Sequence, residues 1–172
     1  FQEAGERGAA LAKQIKEFCE THRIALVGPN CYGFLNYFTK SFLTRSPLFD
    51  VRAGGKIGMS FQSGGLAVAT AQCSHARGIA LGIAVSSGNE LVVNANDYYE
   101  YFLSRDDIAV IGGTLERIPE PERFAEIATR ARKLGKPVVV LKFGRSTLGQ
   151  QLAVAHTGSV AGSDVVADTF LR

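Results

Sequence analysis

The sequence predicts an α/β protein in which a parallel sheet carries helices on both faces. Two observations predict this class. Short segments rich in Val, Ile and Leu recur between residues 56 and 143, and amphipathic segments of helical length separate them. In such an alternation the strands lie parallel, and each helix forms a right-handed crossover between two of them.

The boundaries of these elements follow from the length of the apolar runs and from the capping and turn residues beside them. Four strands are predicted, at residues 56–61, 79–86, 108–115 and 137–143. Helices are predicted at about 64–77, 95–104 and 121–134, and another helix is predicted to begin near Ser163.

The N-terminal segment is predicted to be a separate unit. In residues 1 to about 22, apolar side chains recur at i, i+4 and i+7 with charges between them, which predicts a helix. A short buried strand is predicted at 24–27, and residues 34–55, where Pro and Gly mix with apolar residues, are predicted to be a connection. One helix and one strand cannot form a domain, so we expect this segment to end an α/β domain that begins before Phe1.

Composition excludes several classes of protein. The 172 residues are 46% hydrophobic and 20% charged, which is typical of a globular protein with its own core. The net charge of +3 is small and the basic residues are scattered, which argues against binding to nucleic acid or to an anionic membrane. Three widely spaced cysteines, with no signal peptide and no apolar run of membrane-spanning length, predict reduced thiols in the cytoplasm without a disulfide framework or a metal site.

Ligands of parallel α/β sheets bind beyond the carboxyl ends of the strands. This rule selects four segments of the chain, namely Ser60–Gly65, Ser86–Asn89, Glu116–Ile118 and Gly144–Gly162. The polar and reactive side chains of these segments are therefore the candidates for a functional site.

The first of these segments has two interpretations. Ser63 is placed to cap the following helix, and Gly64 and Gly65 leave its first N–H groups open to a phosphate, which the helix dipole also attracts. A capped helix after a tight turn explains the same residues without a ligand. A serine nucleophile at position 63 is disfavoured, because Phe61 stands where a nucleophile elbow needs glycine.

Two further segments at this edge are ambiguous when taken alone. Ser87 and Gly88 could close over a phosphate or form a simple polar turn. Glu116, just past a predicted strand, could hold a histidine in one tautomer and stabilise its positive charge. It could equally be a solvated residue that pairs with Arg117 or Arg123.

His156 differs from the other histidines of the chain. It lies among small residues in a long predicted loop, where an imidazole can act as a nucleophile or a proton carrier near neutral pH. The alternative is an inert surface histidine, a description that fits His22 and His75 better. Cys31 has no basic neighbour in the sequence to activate its thiol, so a structural or ligand-contacting role suits it better than catalysis.

Five motifs occur in a characteristic order along the chain. They are Gly-Pro-Asn-Cys-x-Gly at 28–33, Ser-x-Gln-Ser-Gly at 60–64, Ser-x-Gly-Asn at 86–89, a strand-end glutamate, and His-Thr-Gly-x-x-Ala-Gly at 156–162. Together they resemble the nucleoside-diphosphate-forming acyl-CoA synthetases, relatives of the succinyl-CoA synthetase α subunit, over essentially the whole chain. The sequence Ala-His-Thr-Gly around the histidine is nearer to the ADP-forming acetyl-CoA synthetases than to succinyl-CoA synthetase, whose relatives carry Gly-His-Ala-Gly.

The resemblance implies a domain organisation. Residues 1–40 would be the C-terminal part of a Rossmann-like CoA-binding domain, and residues 41–55 would be a connection. Residues 56–172 would form a flavodoxin-like domain, similar to that of succinyl-CoA synthetase, with a phosphohistidine loop. The resemblance further implies an ATP-grasp domain or subunit outside this chain that binds ATP or ADP with Mg²⁺, and assembly into a homo- or hetero-oligomer.

The implied activity is that of an acid–thiol ligase, of which this chain alone would be an incomplete part. A carboxylic acid, CoA and ATP would be converted reversibly to acyl-CoA, ADP and phosphate through an acyl phosphate and a phosphohistidine. His156 would be the nucleophile and Glu116 its orienting partner. The binding residues would be Ser63, Gly64, Gly65, Ser87 and Gly88 for phosphate, and Asn30 and Cys31 for CoA.

Two other functions are compatible with part of this pattern. A CoA-sensing regulatory region of a protein acetyltransferase would share most of the motifs, although such regions commonly lack the histidine. A serine-dependent acyl hydrolase would use Ser63 and His156.

Overall fold

A computed structural model describes residues 5–44 and 54–144, which form a mixed six-stranded sheet with helices. The strands are β1 (Gly33–Asn36), β2 (Ser41–Thr44), β3 (Ile57–Phe61), β4 (Ile83–Ser86), β5 (Val110–Leu115) and β6 (Val138–Lys142). The helices are α1 (Gly5–Thr21), α2 (Gly64–Ala76), α3 (Ala95–Leu103) and α4 (Pro121–Lys133). The order of strands across the sheet is β2-β1-β4-β3-β5-β6.

Strands β3 to β6 confirm the predicted parallel sheet. β3 pairs in parallel with both β4 and β5, and β5 pairs in parallel with β6. Phe61 at the end of β3 lies opposite Ser86 of β4 and Thr114 of β5, so these three strands end at the same edge of the sheet. The predicted helices 64–77, 95–104 and 121–134 are observed within a residue of their expected bounds. The helix predicted over residues 1 to about 22 is observed from Gly5 to Thr21, and residues 1–4 lie outside the described part of the chain.

Residues 34–55 were predicted to be a connection, and this prediction is wrong for their first part. β1 and β2 form an antiparallel hairpin, and β1 also pairs antiparallel with β4, so the sheet is mixed rather than wholly parallel. The Asn36 side chain accepts hydrogen bonds from the N–H groups of Phe38 (3.1 Å) and Thr39 (3.2 Å), which closes the turn. The hairpin thus joins the sheet of the C-terminal half of the chain, and the division into domains near residue 40 stays a prediction.

The strand predicted at 24–27 is also wrong. These residues are not part of a ladder, although Leu26 O accepts from Val93 N (3.4 Å) and Gly28 O accepts from Leu91 N (2.9 Å). These isolated hydrogen bonds to the segment after β4 give the backbone of residues 24–28 partners without a strand being formed. The strand predicted at 79–86 begins only at Ile83, and the helix predicted near Ser163 lies outside the described residues.

Side chains from the two faces of the sheet form two cores. On one face, α3 and α4 bury large residues such as Tyr99, Phe102 and Ile127. On the other face, Ala67 of α2 joins a smaller cluster with Phe61. Gly58 permits the first packing, because a Cβ there would lie 2.7 Å from the Phe102 ring. Since Gly58 and Phe61 point to opposite faces of β3, the helices cover both faces as predicted.

None of the helices in the described part of the chain is long and apolar enough to cross a membrane. The cytoplasmic location that the cysteines suggest stays a prediction.

Candidate functional site at the carboxyl edge of the sheet

The loop between β3 and α2 presents the start of a helix at the edge of the sheet. Ser63 has an extended backbone (φ −93°, ψ 124°), and its hydroxyl accepts a hydrogen bond from Leu66 N at 3.4 Å, as a capping serine does. Gly64 and Gly65 occupy the first turn, where the backbone N–H groups have no carbonyl partner within the helix. The predicted cap is confirmed, and a helix N-terminus with free first N–H groups is able to bind an anion.

The motif at 28–33 lies directly against this helix start. The ring of Tyr32 would be 3.1 Å from a Cβ on Gly64, so the two residues are packed closely and position 64 has little room for a side chain. Tyr32 N donates a hydrogen bond to the Ser86 hydroxyl at 3.0 Å, which anchors the same loop to the end of β4. A segment that lies more than twenty residues before β3 in the sequence is therefore part of the same edge.

The loop after β4 also contacts the motif at 28–33. Asn89 N donates to the Pro29 carbonyl oxygen at 2.9 Å, and Asn30 Nδ2 donates to Asn89 Oδ1 at 3.3 Å. Gly88 has φ +61°, and a Cβ there would lie 2.3 Å from the Pro29 oxygen and 2.6 Å from the Asn30 oxygen. Only glycine allows the two loops to approach this closely. Cys31 is half-buried beside this contact, and its thiol faces the Val27 oxygen at 3.8 Å.

Gln62 connects the β3–α2 loop to the loop after β5. Its Oε1 accepts hydrogen bonds from the N–H groups of Glu116 (2.6 Å) and Arg117 (3.0 Å). Its Nε2 donates to the Arg117 carbonyl oxygen (3.1 Å) and to Glu90 Oε2 (2.8 Å). The residue is 5% exposed, and these four bonds use the full hydrogen-bonding capacity of the amide.

Glu90 is a buried carboxylate that the sequence did not single out. Its side chain is 1% exposed, and it accepts from the Ser87 hydroxyl at 2.9 Å as well as from Gln62. Arg117 Nη2 lies 3.4 Å from Glu90 Oε2, and the backbone of Ala95 at the start of α3 also hydrogen-bonds to the Glu90 carboxylate. Burial raises the pKa of the Glu90 carboxyl, while the bond from Ser87 and the charge of Arg117 oppose that rise. A charged residue directly after Ser-x-Gly-Asn, in a turn of small residues, was the signal available in the sequence.

Glu116 has its backbone fixed and its side chain half-buried. Its N–H is held by Gln62, and no partner of its carboxylate is found within residues 5–44 and 54–144. The alternative pairing with Arg117 or Arg123 is not observed. Arg117 faces Glu90, and Arg123 binds Asp97 (2.6 Å). The Glu116 carboxylate is thus placed at the edge without an ion pair in the described region.

Ser87 makes its hydrogen bonds within the protein, and its predicted phosphate contact stays a prediction. The residue is fully buried, its N–H donates to the Phe61 oxygen at 2.7 Å, and its hydroxyl donates to Glu90 with the same Phe61 oxygen 3.2 Å away. Both donors are therefore used within the protein. His156 lies outside the described residues, and within them no group of three His, Cys, Asp or Glu side chains is arranged to hold a metal.

Comparison with known proteins identifies the family. Residues 54–172 match the model of the succinyl-CoA ligase like flavodoxin domain, which is more than half of the chain. The chain belongs to this family. The observed six-stranded sheet is thus the flavodoxin-like fold that the resemblance implied, with an antiparallel hairpin added at one side.

Known relatives and a solved structure can be aligned with almost the whole length of the chain. The 4-hydroxybutyrate–CoA ligase [ADP-forming] of Nitrosopumilus maritimus is 33% identical over 100% of this chain. The acetate–CoA ligase [ADP-forming] I subunit alpha of Pyrococcus furiosus is 34% identical over 96% of it. The acetyl-coenzyme A synthetase 1 of Ca. Korarchaeum cryptofilum, solved with phosphate and ADP, superposes with a TM-score of 0.85 over 99% of the chain at 27% identity. The 172-residue chain itself corresponds to only 25% of the length of the first relative, 35% of the second and 36% of the solved chain.

Proposed function

We propose that this chain is the phosphate- and histidine-bearing part of a nucleoside-diphosphate-forming acyl-CoA synthetase. The observation that carries the proposal is the Gln62 side chain, which joins the anion-binding start of α2 to the backbone of Glu116. The helix start that we propose for phosphate and the Glu116 carboxylate, which has no ion pair in the described region, are thereby held at one edge of the sheet. The motif at 28–33 lies against the same helix start, where the thioester end of CoA would arrive.

The first step of the proposed reaction is attack of phosphate on the thioester. A phosphate oxygen attacks the carbonyl carbon, the carbon–sulfur bond breaks, and CoA leaves as a thiolate that takes up a proton. The N–H groups of Gly64 and Gly65 would hold the phosphate and stabilise its charge. Asn30 and Cys31 would lie near the thioester, and Ser87 would act through the loop rather than by direct contact.

In the second step, the phosphoryl group passes from the acyl phosphate to His156. An imidazole nitrogen forms a bond to phosphorus, and the bond from phosphorus to the acyl oxygen breaks, which releases the carboxylic acid as its carboxylate. Glu116 would accept the other ring N–H, which keeps the attacking nitrogen unprotonated and stabilises the positive charge that develops on the ring. The phosphohistidine would then phosphorylate a nucleoside diphosphate held with Mg²⁺ by an ATP-grasp domain or subunit.

The class of carboxylic acid stays open within this proposal. Three relatives of the chain are named for 4-hydroxybutyrate, trans-feruloyl-CoA and acetate, and they are 33%, 34% and 35% identical to it. Because the chain is about equally similar to relatives named for different acyl groups, the likeness supports the type of reaction and does not favour one substrate. We therefore propose an acyl-CoA synthetase without naming its acid.

A serine hydrolase is disfavoured by the position of Ser63. Its hydroxyl accepts from Leu66 N as a helix cap, whereas a nucleophile needs a neighbouring base to take its proton. Phe61, at the position where an elbow needs glycine, is fully buried.

The proposal is tested by phosphorylation of the full-length protein. Incubation with acyl-CoA and ³²P-phosphate is expected to give a label that is lost in acid and stable in alkali, as a phosphohistidine is. The His156→Asn protein is expected to take up no label, and His22→Gln, at the exposed end of α1, serves as the matched control. Undiminished label in the His156→Asn protein would refute the assignment.

A further inference from the structure

We propose that Glu90 is a positioning residue whose buried carboxylate fixes the geometry of the phosphate-handling edge. The inference rests on the proposed function, because it assigns Glu90 a role in that same site. Three of the donors to Glu90 come from different segments, namely its own turn, the β3–α2 loop and the loop after β5. Within residues 5–44 and 54–144, these three segments carry the predicted phosphate residues and Glu116.

The carboxylate reinforces the orientation of the Gln62 amide, which the backbone of residues 116 and 117 also favours. An ionised carboxylate can only accept hydrogen bonds, so the amide end of Gln62 that faces Glu90 must be the NH₂ group. The carbonyl end of Gln62 then has to face the N–H groups of Glu116 and Arg117, 2.6 Å and 3.0 Å away. Without Glu90, Nε2 keeps only the Arg117 carbonyl oxygen at 3.1 Å as an acceptor, so the amide is held by three hydrogen bonds instead of four.

The same carboxylate holds the turn after β4. Ser87 donates its hydroxyl to Glu90 Oε1, and Glu90 itself has φ +54°, a left-handed backbone that non-glycine residues rarely adopt. Buried carboxylates and left-handed residues persist only where the surroundings compensate for them. Here both occur in one residue, at the point where the three loops meet.

The kinetics of Glu90→Ala in the full-length protein test the inference. The assay is acyl-CoA- and phosphate-dependent synthesis of ATP from ADP, run at a temperature where every variant is folded by circular dichroism. We expect kcat to fall on the order of 10- to 100-fold and KM for phosphate to rise, because small misplacements at a phosphoryl-transfer site are costly. KM for acyl-CoA is expected to stay within about 2-fold of wild type, since the motif at 28–33 has its own contacts with Asn89.

Two further variants separate positioning from stability. Glu90→Gln keeps the shape: its oxygen can accept from Gln62, and its NH₂ can donate to Ser87, whose hydroxyl then donates to the Phe61 oxygen 3.2 Å away. We expect Glu90→Gln to recover activity to within about 5-fold of wild type, because neutral hydrogen bonds preserve the same geometry. Glu126→Ala, at an exposed position of α4, is the matched control and is expected to behave as wild type.

Each outcome decides between the hypotheses. A wild-type protein without phosphate-dependent activity or label overturns the proposed function and this inference with it. An active wild type with an equally active Glu90→Ala protein overturns the inference alone, as does an equal loss in Glu90→Ala and Glu90→Gln. Should Glu90→Ala fail to fold, Ser87→Ala removes one donor to the carboxylate. It is expected to raise KM for phosphate in the same direction by a smaller factor, and an unchanged KM would contradict the role of the network.

Discussion

Replacement of Gly88 by alanine separates the cost of a close approach from the cost of a left-handed backbone. At Gly88 the backbone has φ +61°, and the added Cβ would lie 2.3 Å from the Pro29 carbonyl oxygen. Gly78 has nearly the same backbone, with φ +70°, but a Cβ there would meet nothing within 4 Å. Gly78→Ala is therefore the matched control, because it changes the same residue type at the same kind of backbone without the contact.

The expected destabilisation follows from these contacts. Both variants lose about 1 kcal/mol because alanine disfavours the left-handed region. Gly88→Ala also has to move the Pro29 backbone apart from the turn, which costs about 1 kcal/mol of overpacking and about 1 kcal/mol for the 2.9 Å bond from Asn89 N to Pro29 O. The total is about 3 kcal/mol for Gly88→Ala against about 1 kcal/mol for Gly78→Ala.

Urea denaturation of the two variants, followed by circular dichroism, measures this difference. A gap of about 2 kcal/mol in the free energy of unfolding is expected, because only Gly88→Ala adds the overpacking and the broken hydrogen bond. Equal destabilisation would refute the reasoning, since it would mean that the 28–33 loop and the turn after β4 are not in contact in solution. In the full-length enzyme we also expect Gly88→Ala to raise KM for acyl-CoA, because the loop that carries Asn30 is displaced, and Gly78→Ala to leave it unchanged.

Two further predictions concern the Gln62–Glu90 network. Gln62→Leu is expected to lower the free energy of unfolding by about 3 kcal/mol, because it leaves the buried Glu90 carboxylate and the N–H of Glu116 without this partner. Urea titration measures the change, and a loss below about 1 kcal/mol would contradict the burial argument. The raised pKa of Glu90 predicts a pH effect, because between the unfolded value of 4.5 and the raised folded value the native protein binds more protons than the unfolded chain. As the pH rises through that window, the free energy of unfolding of the wild type is therefore expected to fall more than that of Glu90→Gln. Urea titrations at several pH values measure both, and parallel curves would show that burial does not shift the pKa of this carboxyl.

The parallel strands and their helices could be predicted from the sequence, whereas the hairpin could not. The apolar runs of β3 to β6 alternate with amphipathic helices, and this periodicity is a local property of the chain. β1 and β2 have four residues each, and β2 is largely exposed, so they lack the burial pattern by which a strand is recognised. The apolar run at 24–27 had that pattern, yet its backbone is satisfied by isolated bonds to the segment after β4. Tertiary contacts therefore determine both the formation of the hairpin and the absence of a strand at 24–27.

The location of the candidate site could be predicted from the sequence, whereas the hydrogen bonds between its side chains could not. The rule that ligands bind at the carboxyl ends of parallel strands selected the loops that carry Ser63, Ser87 and Glu116, and the structure brings them together. The rule says nothing about which side chains point inward. Ser87 and Gln62 are buried among partners that lie 3 and 54 residues away in the sequence, so their orientation depends on contacts that no local pattern contains.

The two carboxylates at this edge have environments that suit different tasks. Glu90 is buried and accepts bonds from Ser87, Gln62 and Arg117, so its position is fixed and its oxygens are occupied. Glu116 is held by its backbone N–H, while its carboxylate has no partner within the described ranges and is half-exposed at the edge. Carboxyls in such different environments can take different roles, and we assign contact with the reacting group to Glu116 and positioning to Glu90. If Glu116 orients the imidazole of His156, the bond from the Glu116 N–H to Gln62 gives that contact its direction, and Glu90 supports this bond through the other end of the Gln62 amide.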